Sequence, residues 1–233
     1  MKIMTEIKNV FRKKEALGII LSIPQTLWFN FMYLPLGQAV KLPVWLHYKC
    51  KYNICKESLK LRGNVRPAMI RCGFSIDYAK SFSDMTYLRI EKGALCIFAG
   101  TAHLGRGTKI SVHKGALLEI GNNFAISASS TIKCFRHIKF GSDILFAWDC
   151  LVMDSDGHSL YDNNGNKMNE DKEILFGDKV WIGCCATILK GVVIPTNCVI
   201  GANSMITRGE FFPNSVIAGN PPVSKKEINN WSI

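Results

Sequence analysis

The stretch FGDKVWIGCCATILKGVVIPTNCVIGANSMI, residues 176–206, returns to an apolar side chain at every sixth position: Phe176, Ile182, Ile188, Ile194, Ile200 and Ile206. A helix repeats about every 3.6 residues and an alternating strand about every 2, so neither produces this period. Gly177, Gly183 and Gly201 directly follow three of the apolar residues. Six residues make one short flat strand and a corner. A unit that small cannot bury its own apolar side chain and must stack on copies of itself. Three such sides close one triangular turn. The pattern therefore predicts a mainly β chain, a left-handed parallel β-helix whose periodic residue points into the prism and whose small residues serve the corners.

The same period runs upstream with slips. Ile120, Ile126 and Ile132 form one run, and Phe140, Phe146 and Val152 another. Ile90, Cys96 and Ala102 make a weaker start, and Val112 and Leu118 restore the frame. The slips near 103–111 and 138–140 read as bulged corners or small insertions. Between Val152 and Phe176 the period stops, and DSDGHSLYDNNGNKMNEDKE is polar, with Gly157 and Gly165 as turn residues. In a solenoid such an excursion projects from a corner without disturbing the stack, and projecting loops often carry function. Pro213, Pro221 and Pro222 end the repeats. The division that follows is an N-terminal extension at 1–60, a β-helix domain at 61–222 with the excursion 153–175, and a helical or extended tail at 223–233.

The formal charge is +11. Residues 1–60 hold ten Lys or Arg and three acids, a net of +7, which leaves +4 for the rest. The basic excess thus belongs to the extension and is not interleaved along the repeats, which argues against nucleic-acid binding. Ala16–Val40 contains no charged residue and is strongly apolar, interrupted by Pro24, Gln25, Thr26, Asn30, Pro35 and Gln38. Three readings are open for this segment: a cap on the first coil or a subunit contact, a peripheral contact with an anionic membrane surface, and a membrane span. A secretory leader is not expected, because no small-residue cleavage site follows the apolar run. The nine cysteines are scattered, odd in number and without a CxxC pair. That suits a reducing cytoplasm better than a disulfide framework.

Five histidines are present, and His158 is the one inside the polar excursion. An imidazole there is reachable by solvent, with Asp154 or Asp156 near enough in sequence to hold it. Its ordinary pKa of about 6.5 suits a general base at neutral pH. An exposed loop histidine without a role is the competing reading of the residue alone.

The run VWIGCCATILKGVVIPTNCVIGANSMITR, with FFPNSVIAGNPP after it, resembles the hexapeptide-repeat acyltransferases, and within them the branch of maltose, galactoside and polysaccharide O-acetyltransferases. The resemblance covers about residues 85–225 and is strongest from Phe176 to Pro222. It implies transfer of an acetyl group from acetyl-CoA to a sugar hydroxyl, with His158 as general base and the backbone N–H of Cys184 as oxyanion donor; Asp156 is the candidate carboxylate to orient His158, with Asp154 and Asp149 as alternatives. It further implies that Trp181, Gly183, Cys184, Ala202, Thr207, Arg208, Asn220, Pro221 and Lys225 line the coenzyme. Relatives often carry serine at the Cys184 position and lysine at the Arg208 position. Trp148 and Asp149 are the candidate acceptor contacts. The family assembles as homotrimers with sites between prisms, which makes a homotrimer the expected partner state. TLWFNFMYLPLGQAVKLPVWL resembles the extension of polysaccharide-biosynthesis acetyltransferases, so a capsule, O-antigen or exopolysaccharide acceptor and a cytoplasmic location, peripheral at the inner membrane face, are implied.

Other classes compete. N-acyl transfer to an amino sugar, or O-acetylation of a small molecule, would make the same demand on His158. A zinc hydratase of the same fold needs three converging histidines. His103, His113 and His137 lack the short spacing for this, so no metal is expected. A catalytically dead β-helix module would not need the His158 loop.

Overall fold

A computed structural model of the protein describes residues 2–74 and 85–232. Helix α1 (Lys2–Tyr33) and a single turn, α2 (Leu36–Ala39), lead into strands that wind round three flat faces. Successive strands occupy the first, second and third face in turn. Each pairs in parallel with the strand one coil further on. The first coil is Val44–Leu46, Lys51–Ile54 and Leu59–Leu61, and the sixth is Val180–Ile182, Thr187–Leu189 and Val193–Ile194. This is the left-handed parallel β-helix that the period predicts. The coils begin at Val44, ahead of the boundary placed at 61. The early inward residues Leu46, Ile54, Leu59 and Leu61 are buried but not six apart, so the period does not reveal them.

Burial of in-register ladders holds the prism together. On the first face Leu46, Cys72, Leu104, Ile126, Phe146, Ile182, Ile200 and Ile217 stack one above another, all fully buried. Removing a Leu, Ile or Phe side chain from water contributes about 1.5–3 kcal/mol. A polar residue at any of these positions would therefore open the stack.

Spacing around the prism is uneven. From the first face to the second the inward residues are six apart in Leu104–Ile110, Ile126–Ile132, Phe146–Val152, Ile182–Ile188 and Ile200–Ile206. The step from third face to first is also six in Phe98–Leu104, Ile120–Ile126, Phe140–Phe146 and Phe176–Ile182. The vertex between the second and third faces absorbs the extra residues. It takes ten positions from Ile110 to Ile120, eight from Ile132 to Phe140, twenty-four from Val152 to Phe176, and six from Ile188 to Ile194. The slips read near 103–111 and 138–140 therefore have another cause. Leu104–Ile110 is a regular step, and 138–140 lies inside the strand His137–Phe140. The apparent shift of frame comes from the longer corners ahead of Leu117 and His137.

The glycines after the periodic residues provide clearance between coils. A Cβ on Gly177 would lie 2.6 Å from the Thr196 nitrogen, and one on Gly183 would lie 2.7 Å from the Ala202 nitrogen. The left-handed backbone that turns these two corners is carried instead by Lys179 and Cys185, with φ of 58° and 59°.

Both ends of the solenoid are closed. At the outset Ser22, Thr26 and Asn30 of α1, each four residues apart, face the free edge of Val44–Leu46. Asn30 Nδ2 donates to the Val44 carbonyl at 2.7 Å and Asn30 Oδ1 accepts the Val44 N–H at 3.1 Å. Thr26 Oγ1 accepts from Leu46 N–H at 3.1 Å, and Ser22 Oγ accepts from Tyr48 N–H at 2.8 Å. A helix thus satisfies backbone groups that a missing coil would otherwise leave open. At the far end Ser215–Ala218 joins the first face, and Val223–Glu227 turns back antiparallel to it. The tail is extended, not helical, and its exposed Lys225, Lys226 and Glu227 keep that last edge polar.

Asn30→Ala leaves the buried N–H and C=O of Val44 without these partners. The variant is expected to lose about 2–4 kcal/mol in denaturant unfolding, and a loss below about 0.5 kcal/mol would show that α1 does not close the edge.

Candidate active site

The longest corner, between Met153 and Ile174, carries the polar excursion. Its first residue, Asp154, is fully buried. Its carboxylate accepts from the backbone N–H groups of Phe135, Arg136 and His137 at 2.6, 2.9 and 2.8 Å, which fixes the corner of the coil below. Asp156 is exposed and faces Lys190, whose Nζ lies 2.5 Å from Oδ2, while Asn169 Nδ2 donates to the same oxygen at 2.7 Å. Hydrogen bonds from Lys190 and then Asn169 hold the Asp156 carboxyl below its usual range. Lys190 also donates to the Asn169 carbonyl at 3.1 Å, and Asn169 Nδ2 donates to the His158 carbonyl at 2.8 Å. His158 is itself exposed. Its backbone is pinned through Asn169, and neither Asp154 nor Asp156 is hydrogen-bonded to its ring among the described residues. Both carboxylates that the sequence sets beside His158 therefore have other partners. Lys190 and Asn169 are the residues that sequence reasoning missed. Nothing in the spacing links 156 to 190.

A second group of residues lies on the vertex between the first and second faces. Here the corners of successive coils stack in one line. Cys185 N–H donates to the Trp148 carbonyl at 2.9 Å, Asn203 N–H to the Cys184 carbonyl at 2.9 Å, and Met205 N–H to the Gly219 carbonyl at 3.2 Å. Trp148, Asp149, Gly183, Cys184, Ala202, Asn220 and Pro221 thereby share one edge parallel to the prism axis, with coils about 4.8 Å apart. The N–H of Gly183 donates to the Ile200 carbonyl, and that of Cys185 is also taken. The N–H of Cys184 between them makes no hydrogen bond among the described residues. An unspent backbone donor on a rigid corner is the geometry an oxyanion needs.

The two groups lie at opposite edges of the second face. The strand Leu151–Met153 separates them, about 10 Å at roughly 3.3 Å per residue. Thr207 and Arg208 follow Met205–Ile206 and so lie on the excursion's side. Trp181 is half-exposed on the first face, its ring centroid 6.3 Å from that of Trp231. A cleft of about 330 Å³ lies on that face, bordered by Asn123, Asp143, Lys179 and Trp231, opposite the vertex that carries His158. Lys225 is exposed on the closing strand. His103, His113 and His137 do not converge. His103 Nε2 is 3.0 Å from the Phe74 carbonyl, His113 stacks on Phe135, and His137 lies between Glu119 and Glu173.

Six of the cysteines are buried within the prism. Burial pushes the Cys96 thiol up to about 12 and the Cys150 thiol up to about 11, so both stay protonated. None of the nine cysteines forms a disulfide.

Residues 174–208 match the bacterial transferase hexapeptide (six repeats) family. Among curated relatives, a protein of Escherichia coli K12 named for lipopolysaccharide biosynthesis O-acetyl transfer is 27% identical over 173 residues, 70% of this chain and 78% of the relative. The galactoside O-acetyltransferase of the same organism is 34% identical over 119 residues, 50% of this chain and 57% of the relative. The polysialic acid O-acetyltransferase of Escherichia coli O1:K1 is 32% identical over 147 residues, 63% of this chain and 45% of the relative. The chain thus spans about half the length of the last two. Among solved structures, the polysialic-acid-specific acetyltransferase NeuO superposes with a TM-score of 0.50 at 23% identity, covering 82% of this chain and 79% of that one, a likeness of fold. The resemblance read from the repeats to the hexapeptide transferases and their O-acetyltransferase branch is borne out by these matches.

Lys190→Met removes the cation that holds Asp156. An exposed pair contributes little, so amide exchange across 156–170 is expected to quicken by about twofold to fivefold at pH 7. Asp156 is held below its ordinary value, so the contact is complete above about pH 4 and is lost as pH falls through the lowered value. The difference between the two proteins should disappear in acid. Equal exchange at pH 7 would show that Lys190 does not hold the excursion.

Proposed function

We propose that this hexapeptide-repeat chain is an acetyl-CoA-dependent O-acetyltransferase that modifies a sugar hydroxyl of a bacterial capsule, O-antigen or exopolysaccharide. The placement of His158 carries the reading. The longest departure from the six-residue period presents an exposed imidazole directly ahead of the matched repeats. The names of the relatives support acetyl transfer to glycan oxygen.

In this reading His158 takes the proton of the acceptor hydroxyl as its oxygen attacks the thioester carbonyl. The Cys184 N–H receives the negative charge that develops on the carbonyl oxygen. The C–O bond forms, the C–S bond breaks, and the proton on His158 passes to the departing sulfur. No acyl-enzyme is needed, in keeping with the protonated state of the buried thiols. Asp156 acts through its partners: with Lys190 and Asn169 it positions the backbone that carries His158. Gly183, Cys184, Ala202, Asn220 and Pro221 form the edge along which the pantetheine arm runs. Thr207, Arg208 and Lys225 are the contacts for its phosphates. Trp148, Asp149 and Trp181 face the acceptor.

His158 and the Cys184 edge lie at different vertices of one prism, so a working site takes one set from each of two neighbouring chains. A homotrimer with three such slots satisfies this. In this reading the enzyme works on the cytoplasmic side, peripheral to the membrane where lipid-linked glycans are presented, and the basic, apolar N-terminal segment supports that location.

His158→Ala is expected to lower glycan-dependent release of CoA from acetyl-CoA by at least about 100-fold, with the melting temperature and CoA binding unchanged. Near-normal turnover in the variant would remove His158 as the base.

A further inference from the structure

Helix α1 carries its polarity in reverse. In a surface helix the apolar stripe normally faces the protein and the polar stripe faces water. Here Ser22, Thr26 and Asn30 are buried against the strand edge, while Leu17, Ile20, Leu21, Leu27, Trp28 and Phe31 point away from the prism. Ile20 and Trp28 are each 60% exposed and Phe31 52%. With the exposed Pro24 between Ile20 and Trp28, these outward residues recur at three and four positions and form one continuous stripe about 21 Å long at 1.5 Å per residue. Leu36 and Val40, 69% and 60% exposed, extend it past the helix. An apolar surface of this extent is not stable against water and marks a contact.

The chemistry of the occupant follows from charge and geometry. The first half of α1 carries Lys2, Lys8, Arg12, Lys13 and Lys14 against Glu6 and Glu15. An anionic lipid surface complements this basic sequence, whereas a second copy offers the same net positive charge of +11. A span is ruled out on two grounds. Among the described residues no helix is long and apolar enough to cross a membrane. The polar side of α1 is also bonded to the prism from Ser22 to Asn30, so lipid cannot surround it.

We propose that α1 is an in-plane membrane anchor. Its outward stripe enters the interfacial layer of a bilayer containing anionic phospholipid, whose charge the basic sequence ahead of Ala16 complements, and its inward stripe closes the solenoid. Trp28 and Phe31 suit the headgroup boundary, where amphipathic aromatic rings gather. The inference deepens the membrane-side location proposed above and does not depend on the acetyl-transfer chemistry. One helix then does two tasks, and the first coil is held against the bilayer with the prism standing off from it.

The test uses the full chain without acetyl-CoA or glycan, so it is independent of catalysis. Sedimentation is measured with vesicles of phosphatidylcholine alone and with added phosphatidylglycerol. The wild type is expected to bind the anionic vesicles, more weakly at raised salt, and to bind the neutral ones poorly. Ile20→Glu and Trp28→Glu lie on the exposed stripe, so melting should be unaltered while partition falls by at least about tenfold. Brominated lipid should quench part of the wild-type fluorescence, and that part should vanish in Trp28→Phe. Absence of binding to either vesicle, or wild-type binding by Ile20→Glu, overturns the proposal. Self-association through the stripe, lost in Ile20→Glu and without vesicle binding, overturns it in favour of a contact between copies.

Discussion

The close backbone contact between successive coils is the constraint on which the molecule depends. Where Gly183 passes the Ala202 nitrogen and Gly177 passes the Thr196 nitrogen, no side chain fits. With those corners closed, the step between faces is locked at six residues and the inward residues fall into register. The fully buried ladder from Leu46 to Ile217 is the result. Slack is left at one vertex, and the polar excursion leaves from there. The chain can therefore vary that loop without altering the core, while the rigid opposite vertex holds an unspent N–H at Cys184 in fixed position.

The same rule of satisfied backbone explains the ends. A solenoid has no natural stop, and each terminal coil leaves a row of open donors and acceptors. The far end is finished by an antiparallel strand whose outer edge is charged. The near end is finished by side chains of a helix that mimic a strand. Meeting that need turns the polar residues of α1 inward and its apolar residues outward. A requirement of folding thereby creates an apolar surface for the partner proposed above.

Much of this was legible in the chain. The six-residue return of Phe176 to Ile206 contains the fold, since an inward residue on a flat side has few substitutes. His158 stands out because a polar run interrupts that period. The first coils did not show, because Leu46, Ile54, Leu59 and Leu61 are set by corners of unequal length. Gln25, Thr26 and Asn30 looked like interruptions in an apolar run. They are the groups that bind the first coil, with Gln25 Nε2 reaching the Cys50 carbonyl at 2.7 Å. The hold of Lys190 on Asp156 was invisible for a similar reason: the pair spans thirty-four positions of sequence and meets through the coil geometry. The corner glycines Gly177, Gly183 and Gly201 supply room, and Lys179, Cys185 and Asn203 two residues on supply the turn.

The central claim is that catalysis uses His158 of one prism and the Cys184 edge of another. Co-expression of His158→Ala with Ala202→Trp, each inactive alone and differently tagged, tests it directly through the activity of the purified mixed assembly. Every mixed trimer, whether two-to-one or one-to-two, contains one slot with both sets intact, so the purified mixed assembly should show about one third of the wild-type activity. Mixed assemblies with no activity would place both sets in one chain and contradict the account.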